Sequence, residues 1–148
     1  MIGVIGAAQP SPHGLALAES VGCEIARRGG VLVCGGLGGV MEAAARGAFE
    51  AGGEVVGILP GPEDASANPF VTIAVPTNMG HARNVIIAHT AAALVAVEGE
   101  YGTLSETAIG LKLGKPVVVL PGAQAVAGTL SANSASTAVA MAFESLKK

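Results

Sequence analysis

The 148-residue chain is 51% hydrophobic and 13% charged, which excludes a disordered polymer and supplies enough apolar mass for one domain, residues 1–148, with its own core. A formal charge of -3, eight scattered basic residues and 3% aromatic content speak against a nucleic-acid partner, whose surface needs a basic stripe or stacking rings. A small ligand is expected instead.

In chain order, Ile2 to Ile5 is a short β-branched run closed by Gly6 and reads as a first strand. Met1 to Ala8 is apolar, but no basic residues lead it and no small-residue cleavage pattern follows. It is therefore read as a strand and not a signal peptide, and the chain is expected in the cytoplasm. Helical spacing covers about His13 to Arg28, and a second strand runs from Val31 to Val33. Cys23 and Cys34 lack zinc or redox spacing and are expected as reduced, packed thiols; no metal site is expected.

The segment VCGGLGGVMEAAARGA then places four glycines in five positions between a strand end and a helix over Val40 to Ala51. Gly35, Gly36, Gly38 and Gly39 sit where open α/β sheets bind ligands, at the carboxyl end of a strand. Without Cβ atoms the backbone approaches an anion closely, and the helix start offers unpaired N–H groups and a positive dipole end. The alternative is a tight turn whose glycines serve packing alone. Neither a Walker A loop nor the G-x-G-x-x-G dinucleotide fingerprint is present. Small residues in the following helix let it lie close on its neighbours, so Gly47 reads as structural, and Glu42 and Arg46 have the spacing of an i,i+4 surface ion pair.

Further strands are expected at Glu54 to Leu59, Val71 to Val75, Ala93 to Val97 and Pro116 to Leu120, with helices at Asn78 to Thr90, Thr103 to Leu113 and Ser136 to Leu146. Continuous apolar strands between helices predict a doubly wound, mainly parallel sheet with helices on both faces. The longest nearly apolar run, Val85 to Val97, is broken by His89 and Thr90 and is too short to span a bilayer, so no membrane partner is expected. The stretch PGPEDASANP, 60–69, is a turn-rich loop and a candidate rim of a site, and 121–135 reads as a mobile surface stretch without chemistry.

Two more loops converge on the same sheet edge. In PTNMGHARN, Thr77 or Asn78 is placed to cap a helix, and Arg83 falls in its first turns. An Arg at a positive helix end gains nothing from the dipole, so an anionic ligand or a carboxylate such as Glu106 would account for it, and a plain surface role is the alternative. In VEGEYGTLSE, Thr103 and Glu106 have capping-box spacing, while the same carboxylate beside glycine amides suits a ribose or acid/base chemistry. His81 is ambiguous, His89 reads as a packed or interface residue, and His13 stays open.

Taken together, CGGLGGVMEAAARGA, GHARN at Gly80 to Asn84 and EGEYGTLSE at Glu98 to Glu106 resemble, in order and spacing, three motifs of the "lonely guy" or lysine-decarboxylase-like Rossmann family. The resemblance spans residues 2 to about 120 and implies a Rossmann-like homodimer. In the cytokinin-activating members it implies cleavage of a nucleoside 5′-monophosphate at the N-glycosidic bond, with the catalytic roles falling on Arg83 and Glu106. Ligand contacts would come from Gly35, Gly36, Gly38, Gly39, His81, Arg83, Asn84, Gly99, Tyr101, Gly102, Thr103 and Glu106.

The motifs also depart from that pattern: Gly80 stands for Met, Asn84 for Lys, Glu98 for Pro and Glu100 for the second Gly. One cation fewer and two carboxylates more weaken anion binding unless the new groups face solvent. With IGVIG, CGGLGGVMEAA, RNVIIA and GTLSE, the chain looks more like the branch that contains molybdenum cofactor carrier proteins. There the implied role is binding a phosphorylated pterin without turnover, with a nucleotide as the other ligand to consider; no further cofactor is required. A pyridoxal-phosphate decarboxylase is not supported, because none of Lys112, Lys115, Lys147 and Lys148 lies in a glycine loop.

Overall fold

The computed structural model describes residues 1–147. Its elements follow the order β1 (Ile2–Gly6), α1 (Pro12–Arg27), β2 (Leu32–Cys34), α2 (Val40–Glu50), β3 (Val55–Leu59), β4 (Ile73–Pro76), α3 (Arg83–Thr90), β5 (Ala93–Val97), α4 (Tyr101–Lys112), β6 (Val117–Val119), β7 (Leu130–Ser131) and α5 (Ala135–Ser145). The strands form one sheet in the order β4-β3-β2-β1-β5-β6-β7, and every neighbouring pair is parallel. The expected doubly wound architecture is therefore present. Helices α1, α2 and α5 cover one face over Val4, Ile25, Leu32, Val95 and Val139, and α3 and α4 cover the other over Ile5, Val33, Ile58, Ile87 and Leu94. Among the described residues no helix is long and apolar enough to cross a membrane.

Local chemistry sets the helix starts. Pro12 opens α1, and the Ser11 hydroxyl accepts the Gly14 N–H at 3.0 Å, so the first turn is capped without a break in the chain's entry. Helices α1 and α2 meet through their glycines. A Cβ at Gly22 would stand 1.9 Å from the Ala44 carbonyl oxygen, and one at Gly47 would stand 1.9 Å from that of Glu19. This close approach corrects the expected Glu42–Arg46 pair: Arg46 reaches across to Glu19 on α1, with Nη2 to Oε2 at 2.6 Å. Glu42 makes no ion pair within 4.0 Å among the described residues.

Two further expectations are corrected. Residues 121–135 contain β7, which extends the sheet through Val118↔Leu130 and Val119↔Ser131, and Ala132 and Ala135 are buried. A two-residue strand is too short to show a period. Helix α3 begins at Arg83 and not near Asn78, after a single 3₁₀ turn at Gly80–Ala82, and no side chain caps it. Thr77 is occupied elsewhere: its hydroxyl donates to the Leu59 carbonyl at 2.7 Å and accepts the Met79 N–H at 3.2 Å, while Asn78 takes a left-handed conformation at φ 52°. The turn is anchored to β3 before the helix can form.

Candidate functional site

The sheet order fixes where a crevice opens. From β1 the chain moves outward to β4 and then returns to place β5 beside β1, so the turns after β1 and β5 leave toward opposite faces and part at the carboxyl edge. A cavity of about 450 Å³ lies there. Its floor comes from the first turn, Gly6 to Gln9, and one wall from Leu37 and Met41 around the glycine turn. His81, Arg83 and Asn84 enter from α3 and its lead-in, and Glu100, Gly102, Thr103 and Glu106 from α4. A larger groove of about 670 Å³ runs between α1 and α2 past Glu19, Cys23 and Arg27. It lies on outer helix surfaces, away from the strand ends, and contains none of the motif residues, so chemistry and not size selects the smaller cavity.

Arg83 is buried, and its Nη1 donates to two main-chain carbonyls, Ile58 at 2.6 Å and Gly35. It thereby ties the ends of β2 and β3 together, while its Nε is buried without a hydrogen-bond partner. Burial lowers the Arg83 pKa against the opposing pull of Glu106 and Cys34. Glu106 is buried too, and desolvation pushes its carboxyl up to about 8, with the positive field of Arg83 acting the other way. No ion pair within 4.0 Å joins these two side chains among the described residues. Burial also pushes the Cys34 thiol up to about 11, although the Gly36 N–H and Arg83 favour the thiolate. Cys23 and Cys34 are both free thiols. At neutral pH the buried cluster of Arg83, Glu106 and Cys34 thus holds one cation and two largely protonated acids.

The glycine turn is packed against the first turn. Gly39 has φ +67°, and a Cβ there would lie 2.4 Å from the Ala8 carbonyl oxygen and 2.5 Å from that of Ala7. The Val40 N–H is already donated to Ala7 at 3.0 Å, whereas no side chain caps α2. Gly38 is exposed, and a Cβ there would meet only the Glu42 carboxylate, at 4.0 Å.

The capping-box reading of Thr103 and Glu106 is corrected. Helix α4 starts two residues earlier, at Tyr101, with Glu100 as its N-cap, so Thr103 and Glu106 lie inside the helix as an i,i+3 pair with buried side chains. Thr103 packs onto Gly99, where a Cβ would fall 2.3 Å from its hydroxyl oxygen. Of the two added carboxylates, Glu98 turns away from the cavity lining. It accepts the Ser11 N–H at 3.0 Å and the Ser11 hydroxyl, and Gly14 leaves the space it needs. Its charge is placed on the positive end of α1, and only Glu100 faces the cavity mouth.

The structure therefore gathers His81, Arg83, Asn84, Gly102, Thr103 and Glu106 around one cavity. Gly35 and Gly36 are buried behind it, Gly38 and Gly39 form the start of α2, Gly99 lies beneath Thr103, and Tyr101 is 87% exposed beyond the lining. The 60–69 loop, expected as a rim, contributes no lining residue. His13 is exposed in the first turn of α1, and His89 is exposed at the end of α3 and not packed. Sequence reasoning missed the first turn, above all Gln9. Its signal is positional: in a doubly wound sheet the turn after β1 adjoins the crevice whatever its residues. No group of three or more His, Cys, Asp or Glu residues among those described is arranged to hold a metal.

The profile of the SLOG cluster4 family matches residues 1–146. The chain belongs to this family. It is similar to the molybdenum cofactor binding protein of Rippkaea orientalis, with 33% identity, a TM-score of 0.92, and coverage of 99% of this chain and 96% of that one. It is also similar to the molybdenum cofactor carrier protein of Chlamydomonas reinhardtii, with 37% identity, a TM-score of 0.90, and coverage of 99% and 98%. A protein of Archaeoglobus fulgidus is 55% identical over 119 residues, 80% of this chain and 78% of its own length. The resemblance to the branch containing molybdenum cofactor carriers, drawn from IGVIG, CGGLGGVMEAA, RNVIIA and GTLSE, is borne out, and the family match extends over residues 1–146 of this chain.

Proposed function

We propose that this protein binds and carries a phosphorylated small molecule, a pterin of the molybdenum cofactor type or a nucleotide, without turning it over. The observation that carries this reading is the cavity at the β1/β5 switch point, lined on either side of the glycine turn by Leu37 and Met41 and elsewhere by the polar side chains of Gln9, Asn84 and Glu106. A phosphate placed beside Gly38 meets main-chain amides and a helix N-terminus. A heterocycle in the cavity meets amide side chains and a carboxyl that, being protonated, can donate as well as accept. The kinship with a molybdenum cofactor binding protein in one organism and a molybdenum cofactor carrier protein in another supports the same assignment.

The alternative is hydrolysis of a nucleoside 5′-monophosphate with Glu106 stabilising a developing ribosyl cation. That role calls for an ionised carboxylate, which burial of Glu106 disfavours at neutral pH. Arg83 is engaged with strand carbonyls and serves this reading as a structural cation behind the ligand.

Calorimetry with AMP and with a pterin monophosphate, followed by assay for free base and ribose 5-phosphate, tests the proposal. Binding without release is expected. Gly38→Val adds bulk into open space and should leave the fold intact while weakening binding at least tenfold, about 1.4 kcal/mol. Base release that is lost in Glu106→Gln, or unchanged affinity in folded Gly38→Val, overturns the reading.

A further inference from the structure

Asn68 lies in the turn-rich connection between β3 and β4, outside the cavity lining, yet it is only 8% exposed in a loop whose residues 62–66 are all exposed. Its contacts explain the burial. The Asn68 N–H donates to the Gly36 carbonyl at 2.8 Å, Nδ2 donates to the Leu37 carbonyl at 3.0 Å, and Oδ1 accepts the Phe70 N–H at 3.0 Å. Arg83 holds the preceding carbonyl, that of Gly35. Three consecutive carbonyls of the glycine turn are therefore tied down by residues that come much later in the chain.

The consequence follows from peptide geometry. In a trans peptide the C=O of one residue and the N–H of the next point in opposite directions, and the described residues contain no cis bond. Gly35 illustrates it: its carbonyl meets Arg83, and the Gly36 N–H faces the Cys34 sulfur. By the same rule, fixing the Gly36 and Leu37 carbonyls on Asn68 turns the amides of Leu37 and Gly38 away from the 60–69 loop. Leu37 is itself a cavity residue. A run of glycines left free would have to be ordered when the ligand arrives, which subtracts from affinity; restrained peptide planes are ordered on folding instead.

We propose that Asn68 is a positioning residue for anion binding: it sets the peptide planes of Gly36 to Gly38 so that the Leu37 and Gly38 amides are held ready for the phosphate of the ligand. The assignment rests on the binding role proposed above. No part of Asn68 touches the ligand, and its effect is transmitted wholly through the turn.

The test compares wild type, Asn68→Ala, Asn68→Asp and a control, Thr72→Val, which removes hydrogen bonds from the same connection to Val55 and Glu54 without touching the turn. Two quantities are measured: 15N relaxation order parameters of the Leu37 and Gly38 amides in the free protein, and affinity for inorganic phosphate by calorimetry. Both Asn68 variants keep the main-chain bond to the Gly36 carbonyl and lose the Nδ2 donor to the Leu37 carbonyl. The order parameter of the Gly38 amide should therefore fall from the rigid range of about 0.85 to below about 0.6, with a smaller change at Leu37. Phosphate should bind about tenfold more weakly, whereas Thr72→Val lowers the melting temperature and leaves both quantities unchanged. Asn68→Asp adds a pH readout. Its carboxylate faces the Leu37 carbonyl at pH 8, and its protonated form regains a donor, so its deficit relative to wild type narrows as pH falls toward 5. Should one Asn68 variant not fold, the other carries the test.

Folded Asn68 variants with a wild-type order parameter at Gly38 and wild-type affinity overturn the proposal, as does a Thr72→Val that weakens phosphate binding equally. If wild type itself binds no phosphate, the cavity reading fails instead, and an unchanged or lowered order parameter at Gly38 still decides whether Asn68 holds the turn.

Discussion

Replacing Glu106 with Gln gives the sharpest test of the electrostatics behind the cavity. Burial raises the Glu106 carboxyl from 4.5 to about 8, so between those pH values the native state holds a proton that the unfolded chain has released. The native state then binds more protons than the unfolded one, so stability is fully present below pH 4.5 and is lost as pH rises through 8. Each pH step within the window costs about 1.36 kcal/mol, so the loss between pH 5 and pH 8 is roughly 4 kcal/mol at most, since water penetration and relaxation reduce it. Glutamine keeps the shape and cannot ionise. Urea denaturation at pH 5, 6.5 and 8 should show wild type losing several kcal/mol that Glu106→Gln retains, with the variant the more stable protein at pH 8. Parallel stability profiles for the two would refute the burial argument, and with it the protonated carboxyl invoked for ligand binding.

Gly47→Ala should lower stability by roughly 2 kcal/mol in urea titration, because the methyl would meet the Glu19 carbonyl at 1.9 Å and this overpacking exceeds the ~1 kcal/mol gained in helix propensity; a stabilised variant would show that α1 and α2 are not in contact there. Ser11→Ala removes both the cap on Gly14 and the hydroxyl partner of Glu98, for an expected loss of about 1 to 2 kcal/mol by thermal denaturation. Adding Glu98→Gln to it should cost less than the sum of the two single changes, and strict additivity would mean that the two side chains do not act together.

What the sequence disclosed and what it withheld divide by the distance to the interacting partner. Apolar runs bounded by glycine or proline need no knowledge of the rest of the chain, and they mark β1 to β6 within a few residues, although β4 at the sheet edge is largely exposed, whereas β7 owes its existence to β6 and has no period of its own. Gly47 was legible as a packing residue, but its consequence was not: once two helices touch through backbone, Arg46 finds Glu19 on the other helix sooner than Glu42 on its own. Thr103 and Glu106 show a different limit, because a spacing of three serves a capping box and an inward-facing helical pair equally well. Only the helix start at Tyr101 decides between them.

Arg83 shows the same principle inside the site. Its oddity at a helix start was visible from sequence, and a negatively charged partner was the natural expectation. The groups it actually bonds are two neutral carbonyls, 48 and 25 residues away, that adjoin only because β2 lies beside β3. A charge-assisted bond to a buried carbonyl satisfies the acceptor and leaves the cation unneutralised. The sheet order that brings those carbonyls together therefore keeps a net positive charge behind the glycine turn. On the proposed binding role, that field offsets the replacement of the motif's usual lysine by Asn84 and opposes the charge of Glu100 at the rim, while Glu98 is held on the end of α1.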